Sequence, residues 1–201
     1  LYANRSLQLP HTDPDARDMM LSCGATLNHC QIAFAALGWQ ATIRRFPNPE
    51  VADHVAAIEL HRHAATELDI ALAAAIPRRR TDRRRYSPWH VAPGTIGVIG
   101  SRTTRMGVLF RRVGDVPGLS EIVAEAARRH AVDHGYSTEL ATWSGHYGST
   151  AGVPARNTPE PDVDAPIPAR WFAGPALAQP RGSEATSDNA VVVALGTSDD
   201  S

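Results

Sequence analysis

The 201-residue chain contains no lysine: all 20 of its basic residues are arginine, and against 21 acidic residues they leave a formal net charge of -1. So even a balance gives no long-range positive field of the kind a dedicated nucleic-acid binder carries. The missing lysine and the abundant alanine read as coding bias, which slightly discounts the arginine density. Cysteine is scarce. Cys23 and Cys30 fall seven apart in one amphipathic pattern, two helical turns from each other and too far apart to bridge. They are predicted to be buried free thiols, and such a pair makes no zinc site. No apolar run reaches the ~18 to 20 residues that span a bilayer, and no charged start with a cleavage site marks a signal peptide. With 43% hydrophobic residues the chain can build one sizeable core or two small ones. The expectation is a soluble, cytoplasmic protein.

Both ends read as interrupted. LYANRSLQL begins without Met and reads as an extended strand, while AVVVALGTSDDS stops just after an apolar strand that a buried sheet would follow with another element. The expectation is a fragment, with any site shared with missing parts incomplete.

Between the ends, TDPDARDMMLSCGATLNHCQIAFAALGW predicts a helix with Thr12 or Asp13 as N-cap, Pro14 at the first helical position and Gly38 as the stop. Leu27, Cys30, Phe34 and Leu37 make its apolar stripe. Trp39, Ala41 and Ile43 alternate with polar neighbours, which predicts a strand that can pair as a hairpin with HVAAIEL after the break at PNPE. Thr66 and Asp69 form a capping-box variant that opens a short helix ended by Pro77. A helical stretch follows from Pro93 to Met106, then a strand in GVLFRRV. One or two helices come next, with Leu119, Ile122, Val123 and Ala126 inward. Residues 144–188 have no clear period. Their WFAGPALAQP, with Trp171 and Phe172, predicts an ordered arm.

The densest chemical feature is IPRRRTDRRRYSPW, residues 76–89, where six arginines surround the Thr81-Asp82 step at a helix exit. Three readings compete: a solvated basic turn, a nucleic-acid contact, and a phosphate pocket. The nucleic-acid reading is weakest, because only Tyr86 and Trp89 lie close enough to stack on bases. His54, His61 and His63 carry no ligand spacing, and His130 and His134 lack the glutamate of a metal-binding helix, with Gly135 read as ending the helix there. No metal is assigned. No nucleophile motif occurs, and WSGHYGSTAGVP, without a strand before it or a helix after it, reads as a loop.

Several of these stretches together carry a resemblance: DPDARDMMLSCGATLNHCQIAFAALGW, PNPEVADHVAAIEL, AAAIPRRRTDRR, the segment from STELATWSG to GVPARNTP, and FAGPALAQP. In order and spacing the chain resembles the Acg family of actinobacterial nitroreductase-like flavoproteins. The resemblance implies an α+β nitroreductase-like fold, FMN-dependent, with two halves fused into a pseudo-dimer and both incomplete here. The first half would run over residues 1–65 and the second over 66–201, including the irregular arm 144–188. It implies that a Ser-x-His-Asn-x-Gln-Pro-Trp segment precedes LYANRS in such proteins and that a further helix and strand follow GTSDDS. Matched to the family's Arg-Arg-Ser-x-Arg-x-Phe motif, Arg79, Arg80, Thr81 and Arg83 would hold the FMN phosphate, with Thr in place of Ser and Tyr86 one position from the aromatic place. That chemistry is sound for these residue types, since a guanidinium fork takes two phosphate oxygens and a hydroxyl donates a further bond.

The function implied is reduction of a nitroaromatic or quinone by FMN, with NAD(P)H as electron donor, and no catalytic side chain is assigned. The alternative is an FMN-sequestering protein without turnover. The partners expected are flavin and a small-molecule acceptor, not nucleic acid or membrane, in a monomer or a homodimer.

Overall fold

The computed structural model describes residues 1–86, 88–147, 152–162, 165, 167, 168, 170–180 and 189–198. Chain contacts divide it into two compact units, Leu1–Thr81 and Asp82–Ser201.

The first unit is built on helix α1 (Arg17–Ala36), the antiparallel hairpin of β1 (Trp39–Arg45) and β2 (Ala56–Arg62), and helix α2 (Glu67–Ala75), which packs on α1. The start of α1 corrects the sequence reading. Residues 10–16 are turns, and Ala16 enters the helix in the left-handed region at φ 56°. Pro14 is therefore outside the helix. Asp13 still caps it from a distance, its carboxylate accepting from the backbone N–H of Asp18 at 3.0 Å and of Met19 at 2.9 Å. Gly38 ends the run as expected, at φ 81°, where a side chain would crowd the carbonyl of His63.

Only part of the predicted stripe is inward. Leu27 is buried and Phe34 half-buried, but Leu37 is 70% exposed because it lies past the last helical turn, where the chain swings into β1. Cys23 and Cys30 are free, and they are half-buried instead of buried. The hairpin keeps the expected alternation, with Ile43 paired to Ile58 and Trp39 to Arg62. The N-terminal segment differs from the predicted strand. Tyr2 makes one bridge to His54, and the Asn4 side chain then caps a 3-10 turn over Arg5–Leu7 by accepting from the Ser6 N–H, a local bond that competes with strand pairing. The capping box at Thr66 and Asp69 is complete, and α2 passes into a 3-10 turn over Ile76–Arg78 at Pro77.

The second unit contains helix α3 (Pro93–Arg105), β3 (Leu109–Arg112), helices α4 (Val116–Val132) and α5 (His134–Trp143), the short strands β4 (Ser144–His146) and β5 (Val153–Pro154), and β6 (Val193–Gly196). Strand β6 pairs antiparallel with β3, setting Leu195 opposite Phe110. Two helices form because Asp133 breaks the run and caps α5, accepting from the Tyr136 N–H at 3.0 Å. Gly135 thus sits inside α5 and does not end a helix, a second correction. On α4, Leu119, Val123 and Ala126 are half-buried as expected, whereas Ile122 is 69% exposed.

The arm after α5 has more structure than its lack of period suggested. Strands β4 and β5 pair in parallel, correcting the reading of WSGHYGSTAGVP as a loop. Thr158 is fully buried, and its backbone carbonyl accepts from Ala176 and Leu177 at 3.1 and 3.0 Å. Buried Ser144 accepts from the Ala173 N–H at 3.1 Å. Gly145, at φ 81°, lets the chain pass directly against the carbonyl of Ala173, where any β-carbon would collide. Residues 144–145, 155–158 and 173–177 are thus tied together by hydrogen bonds around two buried hydroxyls.

Candidate functional site: the arginine run and its cavity

The boundary between the two units falls inside the arginine run, between Thr81 and Asp82. Arg79, Arg80 and Thr81 close the first unit and are exposed. Arg79 leaves the 3-10 turn with extended backbone, and its N–H bonds back to Ala75 at 3.0 Å. The Arg80 guanidinium folds onto the chain, donating from Nη1 to the carbonyls of Pro77 at 2.5 Å and Arg79 at 2.8 Å.

Arg83 belongs to the second unit, where it lines a cavity of about 520 Å³ with its sequence neighbours and residues of the arm. Its guanidinium carbon lies 5.2 Å from the ring centroid of Phe172, a cation–π contact. Among the described residues it has no carboxylate partner. Its neighbours differ. Arg84 is held by Asp82, which accepts from the Arg84 backbone N–H at 3.0 Å and from Nε at 2.8 Å, with a further short bond from Nη2 to Oδ2. The hydrogen bonds from the Arg84 side chain, then those from its backbone, hold the Asp82 carboxyl down to about 2, and the same pairing raises Arg84. Arg85 pairs with Asp162 at 3.0 Å, and its N–H donates to the Gln179 side chain at 2.9 Å.

Of the four residues singled out in the sequence, Arg83 lines this cavity, while Arg79, Arg80 and Thr81 lie in the other unit. The sequence reading missed Asp162 and Gln179. No local pattern marks either one, because each reaches Arg85 from far along the chain, and only the folding of the arm brings them there.

A second cavity, of about 420 Å³, lies between α4, α5 and the arm. Alanines 126, 127, 131 and 141 form much of its wall, with Trp171 and the stacked rings of His130 and Tyr136, 4.1 Å apart. Arg170 and Phe172 line both cavities. The other histidines have separate settings: His54 stacks on Tyr2, and His61 lies 3.7 Å from Glu59. Among the described residues no group of three or more His, Cys, Asp or Glu is placed to hold a metal ion. No described helix is long and apolar enough to cross a membrane.

No protein-family model matches the chain. Among curated proteins it is 50% identical over 200 residues to "Putative NAD(P)H nitroreductase Rv3131" of Mycobacterium tuberculosis, an alignment covering all of this chain and 58% of that protein. It is 30% identical over 159 residues to "Putative NAD(P)H nitroreductase acg" of the same species, covering 77% of this chain and 47% of the relative. It is also 30% identical over 211 residues to "Uncharacterized protein Rv3127", covering all of this chain and 59% of that protein. The chain spans less than two thirds of the length of each of these three relatives.

Proposed function

Starting from the homology of this chain to proteins named as NAD(P)H nitroreductases, one of them acg, we propose that it is part of an FMN-binding oxidoreductase. In this reading NAD(P)H reduces the flavin and a nitroaromatic or quinone reoxidises it. The flavin supplies the redox chemistry, and the protein binds it, orients it and limits access to it. The fused two-half arrangement, with its sequence boundary at residues 65 and 66, is part of the same proposal.

The observation that carries the reading is Arg83. Its guanidinium lines a cavity large enough for a small organic ligand, beside an aromatic ring, and has no carboxylate partner among the described residues. That is the condition of a cation available to a phosphate. Arg79, Arg80 and Thr81, in the first unit, are assigned a phosphate role by the resemblance alone. Asp82 fixes Arg84, and Asp162 with Gln179 fixes Arg85, so the segment around Arg83 is held in place before any ligand arrives.

Flavin sequestration without turnover draws support from the arm, whose Asp162 and Gln179 fasten the arginine segment in a way suited to covering a bound flavin. Two measurements, made on the chain extended to the length of its relatives, separate the readings: the visible absorption spectrum of the protein purified with added FMN, and NAD(P)H consumption with a quinone acceptor. Bound flavin with turnover is the expected result. Bound flavin without turnover supports sequestration, and absence of any flavin signal contradicts both.

A further inference from the structure

The 520 Å³ cavity gathers four guanidiniums, those of Arg83, Arg84, Arg85 and Arg170. By charge count alone it would attract polyanions strongly. The chain, however, supplies three carboxylates to the same wall: Asp82, Glu160 and Asp162. Two of them are committed. Asp82 holds Arg84 through both carboxylate oxygens, and Asp162 pairs with Arg85 at 3.0 Å. Arg83, by contrast, faces the Phe172 ring.

We propose that Asp82 and Asp162 are specificity-determining residues that restrict this cavity to ligands carrying a single phosphate, with Arg83 as the receiving cation and Phe172 as the aromatic wall. The inference rests on the phosphate reading of Arg83 given above. Its physical basis is the cost of sharing a cation. A second phosphate group reaching Arg84 or Arg85 must displace a carboxylate that already satisfies the fork, and it meets that carboxylate, together with Glu160, as a like charge. A single phosphate on Arg83 disturbs neither pair. The paired arginines then act as a rigid frame and not as ligands. The same arrangement explains how a run of six arginines coexists with a near-neutral chain without forming a polyanion-binding strip.

The test is calorimetric titration at low salt of inorganic phosphate and of pyrophosphate into the chain and its Asp82→Asn, Asp162→Asn and doubly substituted forms. The parent should bind phosphate in preference to pyrophosphate. Freeing Arg84 and Arg85 should strengthen pyrophosphate by roughly tenfold or more in the double variant while changing phosphate by less than about threefold. Asp162 also helps seat the arm, so a double variant that fails to fold leaves the exposed Asp82→Asn form to decide the matter, with a smaller gain of the same sign. Unchanged pyrophosphate affinity in a folded Asp82→Asn protein overturns the specificity role and leaves the phosphate reading intact. An Arg83→Ala variant reports on the latter separately: if it binds phosphate as the parent does, or if the parent binds none, the phosphate reading falls and this proposal falls with it.

Discussion

The hydroxyl of Thr158 reaches the carbonyl oxygen of Gly174 at 3.1 Å while also donating to that of Ala155 at 2.6 Å, so one buried side chain joins two segments of the arm sixteen residues apart. Replacing it with valine keeps the volume and removes the donor, so the bond across to Gly174 is lost while the Ala155 carbonyl keeps the N–H groups of Thr158 and Ala176. Thr158→Val should therefore destabilise the protein by about 1 to 3 kcal/mol. Urea denaturation followed by tryptophan fluorescence checks it, and a midpoint equal to the parent's would show that the arm is not held by this bond.

The two leucines of the predicted apolar stripe, Leu27 in α1 and Leu37 just beyond it, should separate. Leu27 is buried, and Leu27→Ala should cost ~2 to 5 kcal/mol. Leu37 is largely exposed, and Leu37→Ala should fall within ~0.5 kcal/mol of the parent. Equal losses at both positions would restore the full stripe.

These leucines also show how far the sequence could be followed. Local chemistry was legible wherever neighbours decide it: the β1–β2 hairpin from its alternation, α2 from Thr66 and Asp69, and the end of α1 from Gly38. Positions settled by distant packing were not. Leu37 has the helical spacing of a core residue but lies beyond the last turn, and Asp13 caps α1 through a loop that no N-cap pattern describes. In the site, the arginine run was visible in the sequence, but which arginines line the cavity was not. Nor were the carboxylates: Asp82 is adjacent in sequence, yet its two-oxygen grip on Arg84 depends on the local bend, and Asp162 arrives with the arm.

The Asp82 carboxyl is held down to about 2, below the ordinary value of 3.8, by its bonds from Arg84. A depressed carboxylate contributes fully above its unfolded value and loses its contribution as the pH falls through the folded value. The pair should thus remain closed at pH 4 and open only as the pH falls through about 2. Carboxyl chemical shifts recorded by NMR across that range check it, and a titration midpoint at the ordinary aspartate value would mean that the pair does not form in solution.

Phe172 lies against the Arg83 guanidinium and lines both cavities, with Trp171 beside it in the apolar one. If these rings limit access to a bound flavin, the Trp171→Ala/Phe172→Ala protein should show faster reduction of FMN by dithionite. Stopped-flow bleaching at 25 °C makes the comparison. Rates matching the parent would mark the two rings as simple packing of the arm.

The most direct measurement is the titration of FMN and of riboflavin, which lacks the phosphate, into the parent and the Arg83→Ala protein, with Arg79→Ala and Arg80→Ala alongside, each extended to the length of the chain's relatives. Loss of a charge-assisted contact to phosphate should weaken FMN by ~10 to 100-fold and leave riboflavin nearly unchanged. A damaged fold would lose both ligands together, and a nucleic-acid surface would respond to salt rather than to the flavin phosphate. The account predicts an FMN preference in the parent that collapses in Arg83→Ala, and equal FMN affinity in parent and variants would contradict it.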